Sequence, residues 1–391
     1  MTQEKVLYII YSGDRNAIGG HFRSLRLIFT ELVRAGAIGA DSAIVNIGCV
    51  SSPVLRDLSS YIFIKTHAFL LFSLIGLTRE KRPTVIHAFD EASLCYARVL
   101  SFLFRIRILY TKCGGENLKA YAETPTVFFS RENFNDRAKK TGGESYYVPN
   151  RMARMAAPEI NGEQRNLLDF EEDTYNILRI GRFVPNYLKT FQGSIRLASM
   201  LHAQGMPVRL YLVGKVTDVA VYEQLVAAAP EYVRFIQDSR ITDDAKQIIP
   251  QFHAVIGTGR SVYEACSFGT PVLCPTRSGF PALLNRENID EFFYYNFSER
   301  CPVEVDETLE ARHIEATFRD AVMYQSAKDF ARQAFTDFFD IQSVLATYQG
   351  IYHNLKQVTR FRDFWTVKSF DLFLYTLKKH IKEHPKFHVR K

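Results

Sequence analysis

The sequence predicts an α/β protein of two Rossmann-like domains facing each other across a cleft, followed by a C-terminal helical extension. Three observations carry that prediction. Short apolar runs alternate with amphipathic stretches along most of the chain, the pattern of parallel sheets covered by helices. The alternation restarts after a polar stretch at residues 151–173, RMARMAAPEINGEQRNLLDFEED, which has no clear periodicity. At 391 residues the chain is also too long for one ordinary domain.

Taken in order, residues 6–11, 43–47, 84–88, 106–111, 127–130 and 146–148 read as strands of the first half. Between the first two, Phe22, Leu25, Ile28, Phe29, Leu32 and Val33 recur at helical spacing and Gly36 follows as a stop. The second half begins at 176–180 and continues with 208–213, 233–236, 254–256 and 272–274, with helices between them. After about residue 285 the strand pattern fades and helical segments run to the end. The expected division is 1–150, a linker at 151–173, 174–345, and C-terminal helices at 346–391. Ligands of such sheets sit at the carboxyl ends of the strands.

Composition narrows the class. Hydrophobic content of 47% and charged content of 23% belong to a soluble globular protein. Six cysteines stand singly, with no C-x-x-C pair, which suits a reducing compartment rather than a disulfide framework or a zinc site. The start, MTQEKVLYIIYSGD, reads as a first strand and not as a signal peptide. The most apolar later stretch, residues 67–77, is far shorter than the roughly 20 residues of a spanning helix. A cytosolic protein is expected.

The net charge of +7 resides at one end. Residues 351–391 hold ten Lys/Arg against three Asp/Glu, so the remainder is neutral. The same segment carries Phe361, Phe364, Trp365, Phe370, Phe373, Tyr375 and Phe387. Residues 361–391 therefore suit either docking of aromatics on the protein or contact with an anionic membrane surface. Nucleic acid is not expected as a partner.

Residues 254–276, AVIGTGRSVYEACSFGTPVLCPT, hold the densest signal. An apolar run meets a loop with Gly257 and Gly259, a helix starts near Ser261 with Glu264 on its first turn, and Gly269 stops it. Such a loop points backbone N–H groups and the positive end of a helix at an anion. A carboxylate behind it suits sugar hydroxyls, so diphosphate plus ribose is the ligand this pattern suggests. Arg182, after Gly181 at a strand end, and Lys189 at the start of the next helix could neutralise a diphosphate and its departing charge. Thr276-Arg277-Ser278-Gly279 forms a second loop at the same face. Gly19-Gly20, after the first strand, would let a ligand approach the backbone, or would simply serve a strand-to-helix turn. His87 at a strand end, with Asp90 close behind, could bond a sugar hydroxyl or move a proton, or be a satisfied core histidine. The runs Glu171-Glu172-Asp173 and Asp243-Asp244 contain no D-x-D at a strand end, and no metal site or bound cofactor is expected.

The ordered set resembles the retaining glycosyltransferases of family 4, which have the GT-B fold. The matching pieces are Gly19-Gly20, His87, VPNR at 148–151, IGRF at 180–183, Lys189, LVGK at 212–215 with Gly214, and GTGRSVYEACSFGTPV at 257–272. The likeness covers most of residues 5–285. It implies an acceptor-side domain at 1–150 and a donor domain at 174–345. It further implies that Arg182 and Lys189 bind the donor diphosphate, Glu264 the ribose, and the loop Gly259, Arg260, Ser261 and Val262 the phosphate or sugar. The Gly-Gly loop would contact donor phosphate and His87 the donor sugar.

One position departs. The family's paired-glutamate motif places a first acid eight residues before the second, and Ile256 stands there. By resemblance the reaction is front-side displacement with retention, the leaving phosphate taking the acceptor's proton. The expected substrates are a UDP- or GDP-linked sugar and a glycan or lipid-linked acceptor. Transfer would occur in surface polysaccharide synthesis, at the cytosolic face of a membrane.

Three rivals remain open. An NADP-dependent oxidoreductase would use Gly257-x-Gly259 and Arg277, although Val262 replaces the third glycine of G-x-G-x-x-G and no acid occurs from 265 to 286. A non-catalytic interaction protein of the same fold would explain Ile256. A sugar-nucleotide epimerase would share the donor site.

Overall fold

The computed structural model describes residues 3–13, 17–67, 69–114, 124–141, 144–171, 173–365 and 374. The chain divides into two compact units: Met1–Arg151 with Ile341–Lys391, and Met152–Asp340.

In the first unit β1 (Val6–Ser12), β2 (Ala43–Gly48), β3 (Tyr61–Lys65), β4 (Val85–Ala88), β5 (Arg107–Lys112), β6 (Thr126–Phe128) and β7 (Ser145–Tyr147) form one sheet. Their order is β3-β2-β1-β4-β5-β6-β7 and every pairing is parallel. All seven residues of β1, VLYIIYS, are buried, as a strand covered by helices on both faces requires. The helix Gly20–Arg34 buries Phe22, Leu25, Ile28 and Leu32, and Gly36 beyond it has φ +65°. Strand β3 was not expected. It is a half-buried edge strand, so its YIFIK run lacks the continuous burial that marks the others.

Strand order reverses between β1 and β4, and Asp90 fastens that point. One carboxylate oxygen accepts from the Ser93 amide at 2.8 Å, capping the helix Glu91–Phe104, and the other accepts from the Tyr11 amide at 2.6 Å.

His87, for which the sequence left a ligand-facing and a core reading open, lies in the core and is wholly buried. Its Nδ1 is 2.9 Å from the Tyr352 hydroxyl and its Nε2 is 2.7 Å from Thr111 Oγ1, while the Tyr8 and Tyr352 hydroxyls meet at 2.8 Å. Because β4 is covered on both faces, its end offers no open side, and both ring nitrogens are engaged within the unit. Burial pushes the imidazole pKa down to about 3. The unfolded chain binds a proton near pH 6.5, whereas the folded chain does so only near pH 3. This contribution to stability is therefore complete above pH 6.5 and is lost as pH falls from there towards 3. In urea titrations, wild type should lose up to ~1.4 kcal/mol per pH unit below pH 6 relative to His87→Gln. Parallel acid dependences in the two proteins would refute this.

The segment after Asp340 returns to the first unit, so the expected boundaries at 345 and 346 shift. Helix Leu345–Asn354 buries Tyr348, Ile351 and Tyr352. The Ile108 amide then donates to the Gln357 carbonyl at 3.0 Å, and Arg98 Nη2 donates to the Asp363 carbonyl at 2.5 Å. Phe364 packs edge-on against Phe102 at 5.6 Å, beneath the Arg98 guanidinium. That portion of the aromatic segment is docked on the protein. Phe370, Phe373, Tyr375 and Phe387 lie outside the described residues. Among the described residues no helix is long and apolar enough to cross a membrane.

The second unit holds β8 (Tyr175–Ile180), β9 (Val208–Val213), β10 (Val233–Ile236), β11 (Ala254–Ile256), β12 (Val272–Pro275) and β13 (Pro281–Leu283). Their order is β10-β9-β8-β11-β12-β13. Only the edge strand β13, three residues opened by a proline and unforeseen in the sequence, pairs antiparallel. Strand order reverses between β8 and β11.

Most of the expected linker belongs to this unit. Helix Gly162–Leu168 is opened by a reciprocal Asn161–Gln164 capping box, Gln164 Nε2 donates to the Arg240 carbonyl at 3.1 Å, and Leu168 is buried. At seven residues the helix is too short to show periodicity, but N-x-x-Q was its signal.

Candidate functional site

The site is built where strand order reverses in the second unit, at the carboxyl ends of β8, β11 and β12. The exits of β8 and β9 are nearly in contact. The Gly181 amide donates to the Val213 carbonyl at 3.0 Å and the Phe183 amide to Lys215 at 3.1 Å. A Cβ on Gly214 would lie 1.6 Å from the Gly181 carbonyl oxygen. Gly214, expected to touch the ligand, is instead buried beneath the β8 turn and sets its close approach. Above it Arg182 is exposed.

Pro185 then opens the helix Pro185–Ala203 at its first position. Lys189 is exposed, and its Nζ donates to the Arg277 carbonyl at 2.6 Å. Backbones touch here as well: a Cβ on Gly193 would lie 2.0 Å from the Gly279 oxygen. The helix and the second loop, 276–279, are thereby fixed to each other.

At the exit of β11, Gly259 has φ +53° and ψ −117°, and a Cβ there would meet nothing within 4 Å. The loop is therefore open at a residue whose backbone excludes side chains. Its shape is held from below. Ser261 Oγ accepts from the Thr258 amide at 3.0 Å and donates to the Thr258 carbonyl at 3.1 Å. Val262 is wholly buried and its amide donates to the Gly259 carbonyl at 3.2 Å. Ser261 Oγ and the Val262 side chain are turned inward and shape the loop.

The helix runs Arg260–Phe268, so Glu264 stands one full turn in, and its observed partner is a side chain. Arg260 Nε donates to Glu264 Oε1 at 2.9 Å. Arg260 Nη1 is buried and meets no hydrogen-bond partner among the described residues. A buried donor without a partner costs about 1–3 kcal/mol, and this one flanks the open glycine.

Sequence reasoning missed Arg179. Wholly buried in β8, its Nη2 donates to Thr190 Oγ1 at 2.9 Å, and its Nη1 reaches the carbonyls of Ile180 and Ile256 at 3.4 Å. The guanidinium thus spans the strand-order reversal directly under the loop. Burial pushes its pKa down to about 10. An ionisable residue inside the apolar run ILRI was the available signal. Ile256, its register partner on β11, is wholly buried in the apolar core.

Gly19 and Gly20 belong to the first unit. Gly19 precedes the helix Gly20–Arg34 with φ −57°, and a Cβ on Gly20 would meet nothing within 4 Å. Neither backbone requires glycine, and residues 14–16 of that loop lie outside the described residues. Arg182, Lys189, Gly259, Arg260, Ser261, Val262, Gly214 and Glu264 are thus gathered in the second unit, whereas Gly19, Gly20 and His87 are in the first.

No protein-family model matches the chain, and no curated protein matches its sequence. Solved structures match most of it. HepE of Anabaena, crystallised with UDP and glucose, superposes with a TM-score of 0.66 at 14% identity, over 90% of this chain and 100% of that one. A glycosyltransferase from Rickettsia africae gives 0.67 at 14% identity, over 91% and 99%. WaaG, a glycosyltransferase involved in lipopolysaccharide biosynthesis, gives 0.56 at 13%, over 89% and 100%. The chain has the GT-B fold, with two Rossmann-like α/β units and a helical C-terminal part.

Proposed function

We propose that the protein is a glycosyltransferase that moves a sugar from a nucleoside diphosphate to a glycan or lipid-linked acceptor with retention of anomeric configuration. The observation that carries this reading is the open Gly259 beside the unpartnered Arg260 Nη1, at the strand-order reversal. There the exposed Arg182 and Lys189 supply further positive charge, and Glu264 an acceptor for ribose hydroxyls. Diphosphate would lie over the loop. Arg182 and Lys189 would stabilise the charge that develops on it as the glycosidic bond breaks, and the departing phosphate oxygen would take the acceptor's proton. That HepE is seen with UDP and glucose supports a uridine diphosphate donor, and the role stated for WaaG supports surface polysaccharide as the acceptor class. Such a transferase would work at the cytosolic face of a membrane.

Thermal-shift titration with UDP, GDP, ADP and CMP tests the donor site. One nucleotide should stabilise clearly, by about 2.7 kcal/mol at a concentration of 100 Kd. No shift with any of them would sink the reading. The buried, apolar Ile256 favours one second reading, a GT-B protein that binds nucleotide-sugar without turning it over. Product analysis after incubation with donor and membrane extract separates the two, and analysis without acceptor would reveal an epimerase.

A further inference from the structure

Arg179 is a wholly buried cation whose hydrogen-bond partners are all neutral. Nη2 donates to Thr190 Oγ1, Nη1 to the carbonyls of Ile180 and Ile256, and the guanidinium lies 5.2 Å from the centre of the Phe191 ring. Among the described residues its Nε meets no hydrogen-bond partner, and no carboxylate forms an ion pair with it. Tyr187, Glu299 and Cys274 act on it only through space. Charges taken into a protein interior are paired as a rule, because an unpaired one gives up its hydration without return. An apolar side chain would fill the same strand position without that cost.

The place of the charge supplies a reason for it. Each neutral partner belongs to a segment that carries a group of the candidate site. Ile180 stands two residues before Arg182, Ile256 three before Gly259, and Thr190 directly after Lys189. A Cβ on Gly181 would lie 3.9 Å from Arg179 Cζ, so the guanidinium is immediately beneath the turn that leaves β8. Hydrogen bonds from one side chain thus tie together the segments that present Arg182, Lys189 and the open Gly259. A charge held in the interior is weakly screened, and its field reaches beyond its contacts.

We infer that Arg179 is a positioning residue whose buried charge is matched only when an anion lies over these strand exits, so that the diphosphate of the bound donor is its counter-ion. This rests on the donor-site reading above and deepens it. Being wholly buried, Arg179 touches no ligand; it holds the exits together and adds fixed positive charge beneath them. Its effect grows with the charge on the phosphate group, and it therefore favours a nucleoside diphosphate over the monophosphate.

Calorimetric titration of wild type, Arg179→Met, Arg179→Gln and Arg179→Lys with UDP and with UMP tests it, GDP and GMP being the pair used if uridine nucleotides do not bind. Arg179→Met should weaken UDP roughly tenfold or more and UMP by a smaller factor, so that the preference for diphosphate narrows. Arg179→Gln, neutral but still able to donate to Thr190, should do the same, and it decides the question if the methionine variant does not fold. Arg179→Lys, which keeps the charge and loses the planar fork, should recover part of the UDP affinity. Unchanged UDP affinity in the neutral variants would overturn the inference, as would an equal loss for UDP and UMP, the result of a purely structural support. Wild type binding neither pair would overturn the donor-site reading itself, so the two failures are distinct.

Discussion

Arg182→Ala should lower transfer by ~10²–10³ while leaving the protein as stable as wild type. The rate loss is what removal of one preorganised charge from a developing anion typically costs. Stability should hold because the side chain is exposed, and substitutions at such positions usually stay within about 0.5 kcal/mol. Glu264→Ala should lose transfer as well, for a different reason. It removes the acceptor proposed for ribose and leaves the Arg260 guanidinium, already missing a partner at Nη1, without its contact at Nε. Donor affinity should therefore fall in Glu264→Ala, whereas Arg182→Ala should show its loss mainly in kcat. Full activity in both variants, measured by radiolabelled sugar transfer, would refute the assignment.

Gly214→Ala should be the most damaging small substitution in the second unit. Its methyl group would lie 1.6 Å from the Gly181 carbonyl oxygen, and both partners are backbone, so no side chain can swing aside. The exits of β8 and β9 must separate, breaking the Gly181-to-Val213 bond and displacing Arg182. We expect a loss of roughly 4 kcal/mol, in the range reserved for strained or cavity-forming changes, read as a melting temperature lower by about 10 °C. Nucleotide binding should vanish with it. Gly20→Ala is the matched control: nothing lies within 4 Å of the added Cβ, and alanine favours the helix by up to about 1 kcal/mol. Equal melting temperatures for the two variants would show that the close approach is not required.

How much of this was legible in the sequence depended on whether a residue's partners were local. Strand β11, Gly259, the helix Arg260–Phe268 and its stop at Gly269 form one continuous stretch, and the sequence displays them in order. The roles of Ser261 and Val262 were harder to read. Both lie in the motif, yet which atoms face the ligand depends on how the loop folds back on itself, and here they face inward. The choice between the two readings of His87 was hidden for the same reason, since its partners Tyr352 and Thr111 are 265 and 24 residues away. The return of residues 341–364 to the first unit left no periodic signal, because it rests on single long-range bonds such as that from Ile108 to Gln357. Arg179 was visible as an anomaly, a cation in an apolar strand, but its placement under the loop needed the register of β8 against β11.

That return makes the second unit an insertion within the first. A ribosome releases Met152–Asp340 as one uninterrupted stretch, so this unit can complete its core before the earlier-made one can. Until residues 341–364 emerge, Tyr8 and His87 wait without the Tyr352 hydroxyl, and the amide of Ile108 waits without Gln357. The usual order, in which the N-terminal domain matures first during synthesis, is thereby reversed: the second unit would exist as a finished body while its companion was still open at the centre of its sheet.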